Sequence, residues 1–126
     1  MPTVTVETIE GRTIDQKRGL VKDITQAVTK HFSVEPDTVF IYIYDIQREN
    51  WARGGKLYID SYKNYDRGRT NWPRVVVSAL KGRTIEQKKA LVGDITTAVA
   101  KHFNVDPQSV TVSIRETSRD GGVRII

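Results

Sequence analysis

The sequence predicts an α+β fold in which tandem β-α-β units form a four-stranded sheet with two helices on one face. Three observations predict it. The chain repeats itself at an offset of 71 residues, each half reads strand, helix, strand, and 126 residues with 38% hydrophobic content suffice for one modest core. Pro2-Thr-Val-Thr-Val aligns with Pro73-Arg-Val-Val-Val, and Gly11–Phe32 matches Gly82–Phe103 at 16 of 22 positions, too many for chance. The expected division is a first unit over 1–55, a polar connection over 56–72 and a second unit over 73–126.

Within the first half, Thr3–Ile9 is rich in β-branched residues, with Val4 and Val6 alternating against Thr3, Thr5 and Glu7 as a half-buried strand requires. Gly11 breaks the strand, and Thr13-Ile-Asp-Gln16 has the spacing of a helix capping box. Leu20, Val21, Ile24, Ala27, Val28 and Phe32 then recur at helical spacing, while Lys17, Arg18, Lys22 and Lys30 fall elsewhere on the helix. The helix is expected to end near Phe32–Ser33, because Glu35 precedes Pro36 and a residue before proline avoids the helical region.

Val39–Tyr44 reads as a second strand, parallel to the first because a helix connects them. Its Phe40, Tyr42 and Tyr44 share a face too aromatic for water, so further copies of the chain are expected to cover it. Between the halves, Arg48–Gly55 reads as a glycine turn leading into a hairpin, and Leu57, Tyr58 and Ile59 as a short strand. The last eight residues, Arg119–Ile126, keep paired glycines but have lost the Asn-Trp that precedes Gly54-Gly55.

Composition narrows the function classes. There is no cysteine, so a disulfide framework and a thiolate metal site are excluded, and a reducing cytoplasm fits. No secretory signal and no apolar run of roughly 18 residues is present, so a membrane role is not expected. The net charge of +5 comes from basic residues scattered among acidic ones, which argues against nucleic acid as partner. Neither a metal-ligand cluster nor a phosphate-binding glycine loop is recognisable, so no metal and no cofactor are expected.

One position carries chemistry of its own. If Met1 is removed, Pro2 becomes N-terminal, and its nitrogen is then a secondary amine able to accept a proton. Pro73, at the equivalent position, is acylated by Trp72 and has no basic lone pair. One active site per chain follows. His31 and His102 occur once per repeat near a helix C-terminus, with no carboxylate at a recognisable catalytic spacing, and read as structural.

These residues resemble the tautomerase superfamily, specifically a fused, double-length 4-oxalocrotonate tautomerase. The resemblance rests on Met1-Pro2 before a strand, Glu10-Gly-Arg-Thr-x-x-Gln-Lys17, the helix ending at His31-Phe32, and Asn50-Trp-x-x-Gly-Gly55, and it leaves only about Lys56–Trp72 unmatched. It implies a cofactor-independent isomerase whose N-terminal proline, here Pro2, is a general base acting on 2-hydroxydienoates and related enol acids. It also implies that Arg12 and Arg83 occupy the position of the first substrate arginine and Trp51 that of the residue keeping the pocket apolar. The family's second arginine falls on Phe40 in one half and Thr111 in the other. Arg115, on the strand face of Thr111 and Ser113, is a candidate replacement, as are Arg74, Arg119 and Lys56.

Short members of that family assemble six units, so three double-length chains, a homotrimer, are expected here. Two rival functions remain open in the sequence. Hydration or dehalogenation of a haloacrylate needs a carboxylate to activate water, and after Trp51 stand Ala52 and Arg53. A non-catalytic scaffold formed by duplication would bind or assemble without turning over any enol.

Overall fold

The computed structural model describes residues 1–61 and 72–118, so Arg119 and the paired glycines after it lie outside the described residues, as does most of the connection between the halves. Strand β1, Thr3–Ile9, buries Val4 and Val6 completely and leaves Thr3, Thr5 and Glu7 half-exposed on its other face. Gly11, at φ 113°, then turns the chain in a conformation that a side chain would oppose. Helix α1, Ile14–Phe32, opens on the capping box that the sequence predicts. Thr13 Oγ1 accepts the Gln16 amide at 3.1 Å and Gln16 Oε1 accepts the Thr13 amide at 2.8 Å, a cap worth about 1 kcal/mol. The helix stops at Ser33, whose left-handed φ of 54° donates its amide back to the Thr29 carbonyl.

A 3-10 turn at Pro36–Thr38 leads into β2, Phe40–Ile46, which starts one residue later and ends two residues later than the periodicity indicates. It pairs parallel to β1, with Thr3 opposite Phe40 and Ile9 opposite Ile46. A two-residue glycine turn follows, as expected: β3 (Ala52–Arg53) and β4 (Lys56–Leu57) close over Gly54 and Gly55, both at positive φ. The short strand expected over Leu57–Ile59 does not extend. From Tyr58 to Ser61 the chain forms a helical turn, α2, because Tyr58 buries its ring against Trp51, with centroids 5.9 Å apart, and donates its amide to the Trp51 carbonyl at 2.7 Å.

The second half repeats the first as β5 (Arg74–Leu80), α3 (Ile85–Phe103) and β6 (Thr111–Thr117). The sheet order is β2-β1-β5-β6, with the two halves joined by antiparallel pairing of β1 and β5. Thr5 faces Val76, its own counterpart in the repeat, so a local twofold axis passes between them. Both helices pack on one face and share a single core, in which Val4, Val6, Leu20, Ile24, Val28 and Phe32 meet Val75, Val77, Leu91, Ile95, Val99 and Phe103. Burying each such side chain contributes about 1.5–3 kcal/mol. The α+β architecture expected from the repeat is the architecture observed.

Across the helix interface, His102 Nε2 lies 2.7 Å from Asp23 and His31 Nε2 lies 2.7 Å from Asp94. Space for the first pair is supplied by a glycine. A β-carbon built at Gly19 would sit 2.5 Å from the His102 ring, whereas one at Gly93, also helical, would meet nothing within 4 Å. Gly93→Ala should therefore raise stability by about 1 kcal/mol through helix propensity. Gly19→Ala should lower it by about 1 kcal/mol, since overpacking His102 outweighs the same gain. Thermal melting of the two variants beside wild type checks the opposite signs.

Candidate active site

Pro2 is buried at the start of β1, where its missing amide costs the sheet nothing and its carbonyl accepts the Phe40 amide at 3.1 Å. Beside it lies a cavity of about 260 Å³. Val34, Ala79 and Leu80 supply apolar wall, Thr38 and Glu35 come from the turn that precedes β2, and Arg83 supplies the one cationic side chain of the lining. Met1 stands at the rim, mostly exposed, and while it is attached the Pro2 nitrogen is an amide. The cavity exists because β1 and β5 run antiparallel, which brings the end of β5 and the Arg83 turn alongside the beginning of β1.

The two arginines repeated in the sequence occupy matching places and make similar contacts. Each lies half-buried after a positive-φ glycine, reaches over the end of the other half's helix, and stacks on its terminal phenylalanine, with 4.7 Å from guanidinium carbon to ring centroid in both cases. Arg12 Nη1 donates to the Phe103 carbonyl at 3.0 Å, and Arg83 Nη2 to the Phe32 carbonyl at 3.3 Å. These are orphan carbonyls at helix C-termini, where a cation is favoured. The sequence reading of Arg12 and Arg83 as substrate arginines did not include this helix-end contact, because it joins residues 91 and 51 positions apart. Within one chain, Arg83 rather than Arg12 lines the Pro2 cavity.

Trp51 is not a wall of that cavity within the chain. The parallel register sets Pro2 at the Phe40 end of β2, and Trp51 lies beyond the Ile46 end, on the order of 20 Å away at about 3.3 Å per strand residue. There the hairpin that carries it approaches the second half: the Arg53 guanidinium lies 4.5 Å from the centroid of Trp72, which precedes Pro73. Arg115 is at the right end of the sheet. It shares a cross-strand row with Ser78, Thr3 and Phe40 on the exposed face, two strands and therefore about 10 Å from Thr3. Arg74 donates to Glu7 at 2.7 Å across the β1–β5 pair, and Lys56 lies on the hairpin. Phe40, Tyr42 and Tyr44 project from the sheet face opposite the helices, each more than two-fifths exposed.

The wall residues Val34, Glu35, Thr38, Ala79 and Leu80 were not singled out by motif. The one signal for them was the repeat alignment extended to its flanks, where Ala79 stands opposite Thr8. His31 and His102 each meet a carboxylate, and these contacts bridge the helices between residues far apart along the chain, in an interhelical, structural role. Among the described residues no group of three potential ligands could hold a metal ion, and no helix is long and apolar enough to cross a membrane.

Comparison with known proteins bears on the family and the fold. The family model described as "Tautomerase enzyme" matches residues 2–60 and 73–123, taking in the start of the connection that the sequence motifs left unmatched. A probable tautomerase of Bradyrhizobium diazoefficiens is 42% identical over 60 residues, which are 48% of this chain and 90% of that protein. The 2-hydroxymuconate tautomerase of Bacillus subtilis is 37% identical over 60 residues, 48% of this chain and 97% of its own. Among solved structures, a native fused 4-OT superposes with a TM-score of 0.83 at 20% identity, covering 97% of this chain and 91% of its own. A fused 4-OT described as an asymmetric trimer gives 0.81 at 23% identity, with the same coverage. At those identities the structural likeness establishes the fold.

The Asp23–His102 contact makes a statement about acid stability. The hydrogen bond from His102, the largest effect, holds the Asp23 carboxyl below its ordinary pKa, with the charges of His102, Lys101 and Lys22 adding to it and burial opposing it. A carboxylate with a lowered pKa contributes stability at pH above its unfolded value and loses it as pH falls through its folded value. Wild type should therefore out-melt Asp23→Asn at neutral pH, and the gap should close as pH drops below about 4. Melting temperatures of both proteins between neutral pH and pH 2 check this.

Proposed function

The chain belongs to the tautomerase enzyme family, and from that premise we propose that it moves a proton between the enol and keto forms of 2-hydroxydienoate-type or related enol acids, with Pro2 as general base. The observation that carries the proposal is the single cavity that joins Pro2 to Arg83. Once Met1 is removed, the Pro2 amine faces apolar surface from Val34, Ala79 and Leu80 and a nearby guanidinium. Both disfavour its ammonium form, while the Glu35 carboxylate of the same lining favours it, and the balance sets how far the lone pair is available.

The reaction needs little else. The substrate carboxylate binds Arg83 through charge-assisted hydrogen bonds, which set the enol hydroxyl near the proline nitrogen. Pro2 takes the hydroxyl proton, electron density moves through the diene, and the protonated amine returns the proton to a carbon of the same chain of double bonds. The oxidation state does not change, so no cofactor enters. Arg83 stabilises the negative charge while the proton is on the enzyme.

Trp51 and Arg115 enter the reading through assembly. With Trp51 some 20 Å from Pro2 along one chain, a site that contains both is completed by a second copy, and the exposed Phe40-Tyr42-Tyr44 face supplies the surface for that association. The fused 4-OT structures described as symmetric and asymmetric trimers make a homotrimer the expected assembly here, with three active sites. Arg12 is assigned to the helix clamp described above.

In protein whose N-terminal mass shows Pro2 first, Pro2→Ala should lower kcat for ketonisation of 2-hydroxymuconate by about 10²–10⁴-fold. Undiminished turnover would exclude Pro2 as the base. Sedimentation should give three times the chain mass, and a monomer would leave the aromatic face unexplained.

A further inference from the structure

Resting on the proposed proton-transfer reading, the comparison of the two halves reaches one step further, to a residue that decides which arginine is available to substrate. Arg12 and Arg83 are equivalent by the repeat, and of the positions at which their surroundings differ one bears directly on the guanidinium Nε. On the Arg12 side the wall residue is Thr8, fully buried, and its hydroxyl accepts Arg12 Nε at 3.1 Å. On the Arg83 side the same position is Ala79, which has no acceptor. Among the described residues, Arg83 donates only through its terminal nitrogens, to the Leu80 and Phe32 carbonyls, both at 3.3 Å.

The consequence follows from guanidinium geometry. A carboxylate gripped in two parallel hydrogen bonds needs an edge with two donors, and one such edge includes Nε. In Arg12 that edge is engaged by Thr8, while another nitrogen reaches the Phe103 carbonyl at 3.0 Å, so the whole group is held as a clamp on α3. In Arg83 only Nη1 and Nη2 donate among the described residues, and the side chain lines the cavity that contains Pro2. We propose that Ala79 is a positioning residue: its lack of a hydroxyl leaves Arg83 able to turn its Nε edge to the substrate carboxylate, whereas Thr8 commits the equivalent Arg12 to structure.

The test compares Ala79→Thr with Ala79→Val, side chains of the same shape of which only the first has a hydroxyl, in the full chain processed to Pro2. KM and kcat are measured on 2-hydroxymuconate, together with melting temperatures. Ala79→Thr should show a KM about tenfold above that of Ala79→Val, the worth of one charge-assisted hydrogen bond, with kcat closely similar and a higher melting temperature. Thr8→Ala should melt below wild type with no change in KM. Equal KM values for the Thr and Val variants would overturn the assignment. If wild type itself proves inactive, the tautomerase reading fails separately, and melting then decides the division of labour between the arginines. Ala79→Thr melting above Ala79→Val supports the pinning of Arg83, and equal melting overturns it.

Discussion

The antiparallel pairing of β1 with β5 is the constraint on which the rest depends. A single β-α-β unit exposes two edges of a two-stranded sheet and one apolar helix face, and the β1 edge and that helix face both gain from a partner. Joining two units about an axis between Thr5 and Val76 satisfies both at once, because the strands pair and the helices share one core. The same operation sends Arg12 over the end of α3 and Arg83 over the end of α1, and it sets the β5 terminus beside Pro2. Stability and the candidate site therefore arise from one interface, and a change that shifted the β1–β5 register would damage both.

Duplication would make two such cavities, and the surroundings of the two equivalent places differ. Where the cavity beside Pro2 has Val34 and Thr38 only half-buried, the other half has Val105 and Ser109 almost fully buried. Where Met1 precedes Pro2, Trp72 precedes Pro73 at a left-handed φ of 55° with Arg53 stacked on its ring. Non-glycine residues rarely adopt that conformation. Each difference closes the second half and leaves the first accessible, in line with the chemical fact that only an N-terminal proline nitrogen can be basic.

Much of the fold was legible in the sequence because the repeat removed ambiguity: every assignment for one half was checked by the other. Thr13 and Thr84 cap as their spacing indicates, and the helices end at Ser33 and Asn104 in the same left-handed cap. The segment after Gly55 was less legible. It has no counterpart in the second half, and Tyr58 takes its helical turn from a tertiary contact with Trp51 rather than from local preference. The site was readable to the level of residue types. Its assembly was not, since the helix-end carbonyls that Arg12 and Arg83 reach and the carboxylates that His31 and His102 meet lie on the other repeat, at separations that no local pattern encodes. The place of Trp51 at the far end of the sheet likewise became visible only from the strand register.

The central claim is that one nitrogen per chain, exposed by removal of Met1, performs the chemistry. It is tested most directly with two preparations of the same chain, one beginning at Pro2 and one in which an N-terminal extension retains Met1, each verified by intact mass and shown to have the same assembly state. Assayed on 2-hydroxymuconate, only the preparation beginning at Pro2 should convert enol to ketone. Equal turnover by both would contradict the claim, because an acylated proline nitrogen cannot carry the proton.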